Sequence, residues 1–219
     1  MRMRRLREQM GAILIPAASA WVTLIADVFA HPHMWVTVET TVLYEKGTFT
    51  GPRESWTFDD YYTAYAIEGL DKDHDGIYDR DELSELARVN IEAMKEVGYV
   101  TYPVLGGQEV KVGPAQDYWL EHKDGVLSLH FTVLFAQPIL TEAEGFGFAV
   151  EDCTVFIAFL PAKVDPVKFG DGAPKTCRAR FGRHTDANSG DAERLAKVFA
   201  QLPTRISAVN AVLIDCGAH

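Results

Sequence analysis

The stretch Asp71-Lys72-Asp73-His74-Asp75-Gly76-Ile77-Tyr78-Asp79-Arg80-Asp81-Glu82 decides how the chain is read. Counted from Asp71, side-chain oxygens fall at positions 1, 3, 5, 9 and 12, on Asp71, Asp73, Asp75, Asp79 and Glu82. Glycine stands at position 6, where the chain must turn sharply, and Ile77 at position 7 offers its backbone carbonyl. This is the spacing by which an EF-hand loop surrounds Ca²⁺, a hard cation that takes about six to eight oxygens. A plainer reading coexists with it: Asp79 and Glu82 are spaced as a helix capping box, and the second half of such a loop also starts a helix. Tyr78 at position 8 departs from the β-branched aliphatic usual there, a residue that pairs with a second loop. The sequence has no second loop of this kind, so a lone hand is expected to be structural or weak rather than a cooperative sensor.

The flanks read as helices. Asp59 or Asp60 can cap a short helix with Tyr62, Tyr65, Ala66 and Leu70 on one side. Beyond the loop, Leu83, Leu86, Ala87, Ile91, Met94 and Val97 recur at helical spacing until Gly98. Helix, loop and helix therefore stand in the order the motif needs, over residues 59–98.

Around this insertion the sequence is β-rich. Met34–Tyr44 alternates apolar and polar residues, and Glu45-Lys46-Gly47 turns it into Thr48–Phe58. A second hairpin is expected from Tyr99–Leu105 and Glu109–Val112. A third joins Tyr118–Lys123 to Val126–Phe135 through Asp124-Gly125, a strong hairpin signal. Thr154–Leu160 reads as a strand ended by Pro161, Asp191 can cap a helix through Gln201, and Ala211–Cys216 returns as a strand. The fold class is α+β: an antiparallel β-rich core with an inserted EF-hand-like helix-loop-helix and a C-terminal helix.

The first thirty residues read as an export signal. Arg2, Arg4, Arg5 and Arg7 form a basic start, Met10–Phe29 is mostly apolar, and Val28-Phe29-Ala30 ends in small-residue style. Pro16 and Asp27 leave the apolar stretch shorter than the roughly 20 residues a span prefers, so cleavage rather than stable membrane insertion is expected. Residues 1–30 are then a signal peptide and 31–219 a single domain. Four arginines leave with one glutamate and one aspartate, so the formal charge of −10 becomes −12. So acidic a surface argues against nucleic acid as a partner.

Three cysteines in an exported chain allow one disulfide and one thiol, with three pairings open. Cys177 with Cys216 is favoured, because the tail Ala211–Cys216 has little else to anchor it. Cys153, beside the apolar run Val155–Phe159, is expected to be a small buried residue.

The new N-terminus would be His31-Pro32-His33. A terminal histidine offers its α-amine and imidazole together, and in extended chain His33 points to the same side. Pro32 lacks an amide proton, which blocks the square-planar amide-nitrogen site for Cu²⁺ or Ni²⁺. Ordinary imidazole ligation remains, suited to Zn²⁺, Ni²⁺, Co²⁺ or Cu²⁺. Of the other histidines, His74 occupies a non-liganding loop position and should face water. His130 lies opposite Trp119 across the Asp124-Gly125 hairpin, where packing is expected, and His184 is a candidate distal ligand. No Gly-x-Ser-x-Gly, P-loop, His-Glu-x-x-His or dinucleotide fingerprint is present, so the sequence gives no support for an enzyme.

In the order of these residues the chain resembles the DUF1007 family of exported bacterial proteins, often labelled periplasmic components of ABC-type transport. The likeness rests on His31-Pro32-His33-Met34-Trp35-Val36, Trp56-Thr57-Phe58-Asp59-Asp60, the loop Asp71–Glu82, Gly98-Tyr99-Val100-Thr101 and Glu151-Asp152-Cys153-Thr154-Val155-Phe156. At Cys153 the family usually has proline. The resemblance implies a periplasmic role near metal uptake, with NicO-type nickel/cobalt permeases or zinc acquisition systems as partners. It makes His31 and His33 the leading transition-metal ligands, with Asp59 and Asp152 as helpers. The expectation is a soluble periplasmic accessory protein that hands Zn²⁺ or Ni²⁺/Co²⁺ to a membrane permease of NicO or ABC type, held in shape by Ca²⁺. Two other classes are open: a Ca²⁺-stabilised interaction module without cargo metal, and a copper enzyme with an N-terminal histidine chelate.

Overall fold

The computed structural model describes residues 33–154, 156–182, 190–200 and 210–217. The expected export signal, His31 and the candidate distal ligand His184 lie outside the described residues. The first described elements are two long strands, β1 (Met34–Glu45) and β2 (Thr48–Phe58). Their hairpin turns at Lys46 and Gly47, both at positive φ, the conformation a two-residue turn between right-twisted strands requires. Two helices follow, α1 (Asp60–Ala66) and α2 (Arg80–Lys95), and a 3₁₀ turn at Gly98–Val100 returns the chain to β structure. The strands β3 (Thr101–Leu105), β4 (Gln108–Glu109), β5 (Val112–Lys123), β6 (Val126–Phe135), β7 (Ile139–Leu140) and β8 (Phe146–Val150) come next. Then come β9 (Ile157–Pro161), β10 (Val167–Phe169), β11 (Arg178–Phe181), α3 (Asp191–Phe199) and β12 (Ala211–Asp215).

These elements form an α+β fold with two mostly antiparallel sheets. The larger has the order β10-β1-β2-β6-β5, with β9 also on β1 and β7 on β2; the smaller has the order β11-β12-β8-β3-β4. Only the pairs β1–β9 and β1–β10 are parallel among the described strands. Alternation puts Val36, Val42, Leu127, Leu129, Phe131 and Val133 on a fully buried inner face of the larger sheet. Phe146, Phe148, Val150, Val212 and Ile214 share their cluster from the smaller sheet, and Leu83, Ala87 and Ile91 add the apolar face of α2. Trp56 sits among them with its ring 4.9 Å from Phe131 and 4.8 Å from Phe159. In β8 every residue is buried, because α3 covers the other face of the smaller sheet through Leu195 and Phe199, packed with Val104, Ala149, Ala211 and Leu213. A sheet covered on both faces loses its polar alternation.

Cys177 and Cys216 form a disulfide. Antiparallel register pairs Arg178 with Asp215, which brings the two cysteines side by side at the end of the β11–β12 ladder. The bond closes a loop 39 residues long in sequence separation, worth about 4 kcal/mol in the chain-entropy treatment.

The expected strand Glu109–Val112 is reduced to Gln108–Glu109, with Val112 opening β5 against β6, and four other local expectations differ from the structure. The strand expected from Thr154 begins only at Ile157, because the Asp152 carboxylate gathers the N–H groups of Thr154, Phe156 and Ile157 into a turn. The same turn exposes Cys153, whose thiol lies 3.7 Å from the Tyr102 hydroxyl instead of in the core. Asp191 does not cap α3: Gly190 does so at φ 70°, while the Asp191 carboxylate faces Arg180 at 3.3 Å and the helix stops at Phe199. Helix α2 ends at Lys95, so Val97 lies beyond it and is half exposed.

Candidate metal centre

The loop between α1 and α2 is held at both ends. Asp59 caps α1, its Oδ1 accepting the Tyr62 N–H at 2.8 Å, and its Oδ2 accepts the Trp35 N–H at 2.7 Å. Thr63 Oγ1 accepts the Leu127 N–H at 3.1 Å, which ties α1 to β6. The Tyr62 hydroxyl donates to Asn90 Oδ1 of α2 at 3.4 Å. At the far end, Asp79 Oδ1 accepts the N–H groups of Asp81 and Glu82, and Glu82 Oε2 accepts the Asp79 N–H: a complete capping box.

Between these ends the backbone donors turn onto the loop's own carboxylates. Gly76 N–H donates to Asp71 Oδ2 at 3.1 Å, Asp75 N–H to Asp73 Oδ1 at 3.2 Å, and Ile77 N–H to Asp75 Oδ1 at 2.7 Å. Gly76 takes φ 80°, a left-handed conformation that a side chain would strain. Glu82, almost wholly buried, reaches back across the loop to accept the Lys72 N–H at 2.6 Å. One oxygen from each of Asp71, Asp73 and Glu82 then lies within 4.8 Å of the others, the one cluster of this kind among the described residues. The Asp75 and Asp79 carboxylates stay outside it, engaged by Ile77 and by the helix cap. The exposed Ile77 side chain plays no part in the cluster, and its carbonyl is the ligand atom the sequence assigns.

Two observations show what the cluster can do. Asp71 Oδ1 is buried and has no hydrogen-bond donor, a deficit that a cation would fill. The Asp75 N–H draws the Asp73 carboxyl toward lower pKa, yet desolvation and the charges of Asp75, Glu82 and Asp71 leave it raised above its ordinary value. Converging carboxylates that resist ionising together gain most from a positive ion, so this all-oxygen centre can hold a metal.

How the loop's exit is clamped was not legible in the sequence. Tyr78, at the position where a second loop would pair, sets its ring 4.9 Å from His122 of β5, edge to face. Arg80 places its guanidinium 4.8 Å above Trp119, and Trp119 stacks on His130 at 4.7 Å. Burial lowers the His130 pKa and Arg80 adds to that, while Glu121 and Glu39 pull it upward. Its Nε2 lies 3.6 Å from Glu121, too long for a hydrogen bond. His130 is thus a packed residue, as its register opposite Trp119 implied.

The residues assigned to a transition metal fall at another edge. His33 is exposed, donates its N–H to the Phe156 carbonyl at 2.9 Å, and sets its ring 5.0 Å from that of Phe156. Asp152 lies four residues before Phe156 but is committed to its turn. Partial burial opposes its ionisation, yet the Thr154, Ile157 and Phe156 donors hold its pKa below the ordinary value. Asp59 is committed likewise, to α1 and to Trp35. Both carboxylates fix backbone on either side of His33, and the three do not converge as a ligand cluster among the described residues.

The profile of the family described as "Protein of unknown function (DUF1007)" matches residues 17–209, so the chain belongs to that family. Comparison with the curated proteins and with the solved structures found no match.

Proposed function

We propose that this DUF1007 protein is an exported, divalent-cation-binding accessory protein whose 71–82 loop is an EF-hand-like Ca²⁺ site. The observation that carries the reading is the buried, donorless Asp71 Oδ1 beside the Asp73 and Glu82 oxygens. Asp71, Asp73, Asp75 and Glu82 would hold the ion with the Ile77 carbonyl, and Asp79 would act through water or as the cap. Calcium would supply charge neutralisation and rigidity. A site of extracellular type binds at roughly 10⁻⁴ to 10⁻³ M, suited to a structural ion outside the cytoplasm. The Tyr78–His122 contact stands in for the missing second loop by docking this one on β5. Export is supported by the Cys177–Cys216 disulfide, which fits an oxidising compartment. Among the described residues no helix is long and apolar enough to cross a membrane.

In this reading His31 and His33 carry Zn²⁺ or Ni²⁺/Co²⁺ to a membrane permease, and Asp59 and Asp152 act by fixing the strand and turn that present His33. A second reading, a Ca²⁺-stabilised interaction module without cargo, gains from the engagement of both carboxylates by backbone donors. Metal analysis of the protein isolated from the periplasm without chelators, beside the His31→Ala/His33→Ala double variant, separates the two. The cargo reading expects Ca²⁺ in both proteins and a transition metal in the unaltered one alone. Equal transition-metal content in both would overturn it, and absence of calcium from both would overturn the loop assignment.

A further inference from the structure

Glu54 lies in the middle of β2, on the inner face shared with Trp56 and Phe58, and is completely buried. Its Oε2 accepts the Thr40 hydroxyl of β1 at 2.7 Å, and its Oε1 has no donor. The Trp56 indole N–H is near enough to favour the charged carboxylate slightly, but its geometry falls short of a hydrogen bond and it too stays unpartnered. Among the described residues no cation faces the group. From β6 the inward neighbours are Leu129, Phe131 and Val133; from the smaller sheet the interior holds Phe146, Phe148, Val150, Val212 and Ile214. The nearest ionisable side chains of the same strands, Glu39, Arg53 and His130, belong to the opposite face by alternation.

We propose that Glu54 is a pH-sensitive element of the sandwich: the fold carries it as the neutral acid, and its ionisation loosens the packing of β1 and β2 on the smaller sheet. A lone carboxylate with one hydroxyl donor cannot be held in an apolar interior without a counter-charge. Desolvation raises its pKa from 4.5 to about 7, against the smaller pull of Thr40 and Trp56. The sign follows from linkage. Between those two values the folded state holds a proton that the unfolded state has lost, so stability falls as pH rises through this window. The 71–82 loop has the opposite demand, since its carboxylates bind a cation only when ionised. The two together favour mildly acidic to neutral conditions.

The test is urea unfolding of the disulfide-bonded protein, stripped of metal, from pH 5 to 8.5, for the unaltered chain and Glu54→Gln. The folding constant of the unaltered chain should fall by as much as about 300-fold on ionisation, each pKa unit being tenfold. Glu54→Gln, which keeps an oxygen for Thr40, should lack that component of the slope. Identical pH slopes in the two proteins would overturn the proposal. Should Glu54→Gln fail to fold, infrared difference spectra of the unaltered chain decide instead. A protonated buried carboxyl persisting to pH 6 supports the proposal, and its absence there refutes it.

Discussion

Replacing Glu82 separates the capping that this side chain performs from the calcium ligation proposed for it. In calcium-free buffer, Glu82→Ala removes the capping-box partner of Asp79 and strands the Lys72 N–H. Losing the cap costs about 1 kcal/mol, and losing a charged acceptor for a part-buried donor about 1.5–3 more. The sum, roughly 2.5–4 kcal/mol, corresponds to a fall in Tm of roughly 5–15 °C for a chain of this length. Glu82→Gln keeps the side-chain size and one oxygen, so it should lose only about 1 kcal/mol without calcium. It lacks the charge and second oxygen that a bidentate ligand needs. At 10 mM Ca²⁺ and a dissociation constant of roughly 10⁻⁴ to 10⁻³ M, binding should stabilise the unaltered protein by about 1.4–2.7 kcal/mol. That is a rise of roughly 3–10 °C in differential scanning calorimetry. Both variants should show no such rise, while Glu82→Gln begins from a nearly unaltered baseline. A full calcium-dependent rise in Glu82→Gln would refute the reasoning, because a cap alone would then explain the buried glutamate.

Other outcomes follow from the same geometry. In a zinc competition titration, His31→Ala/His33→Ala should weaken binding at least about tenfold, or about 1.4 kcal/mol, and leave the calcium response intact; unchanged zinc affinity would remove the cargo role. Cys177→Ser should lose about 4 kcal/mol in urea unfolding, and a thiol reagent should label Cys153 in the folded, unreduced protein; labelling elsewhere, or none, would contradict the pairing. Calcium affinity should fall as pH is lowered. Asp73 takes up its proton at higher pH than an ordinary aspartate, so the decline should begin before the usual carboxylate range. A calcium affinity flat down to about pH 4 would count against the cluster.

Features that depend on near neighbours were readable from the chain itself. Asp124-Gly125 takes positive φ at both positions and joins β5 to β6 in the expected register. Asp59 caps α1, and Asp79 with Glu82 caps α2, as their spacing implied. What escaped is long-range or hinges on a single side chain's choice of partner. Nothing local says that β9 and β10 both lie parallel to β1, since each pairing joins segments more than a hundred residues apart. The Asp152 turn leaves Phe156 exposed and outside the expected strand, and no propensity forecasts which backbone donors a carboxylate will collect. The clamp of Tyr78 on His122 and of Arg80 on Trp119 required knowing that α2 lies against β5. Glu54 left a legible trace: it shares parity with Trp56 and Phe58 on an alternating strand, so an inward charge was implied there.

The loop's claim on a cation is tested most directly by amide NMR of the metal-stripped protein during a calcium titration, followed at Gly76. Its N–H is bonded to Asp71, one of the three clustered carboxylates. The Gly76 resonance should move to a single saturated position, reporting one ion per chain at a dissociation constant of roughly 10⁻⁴ to 10⁻³ M. The Glu54 and His33 amides should stay nearly still. A Gly76 signal that does not move at tens of millimolar calcium would contradict the account.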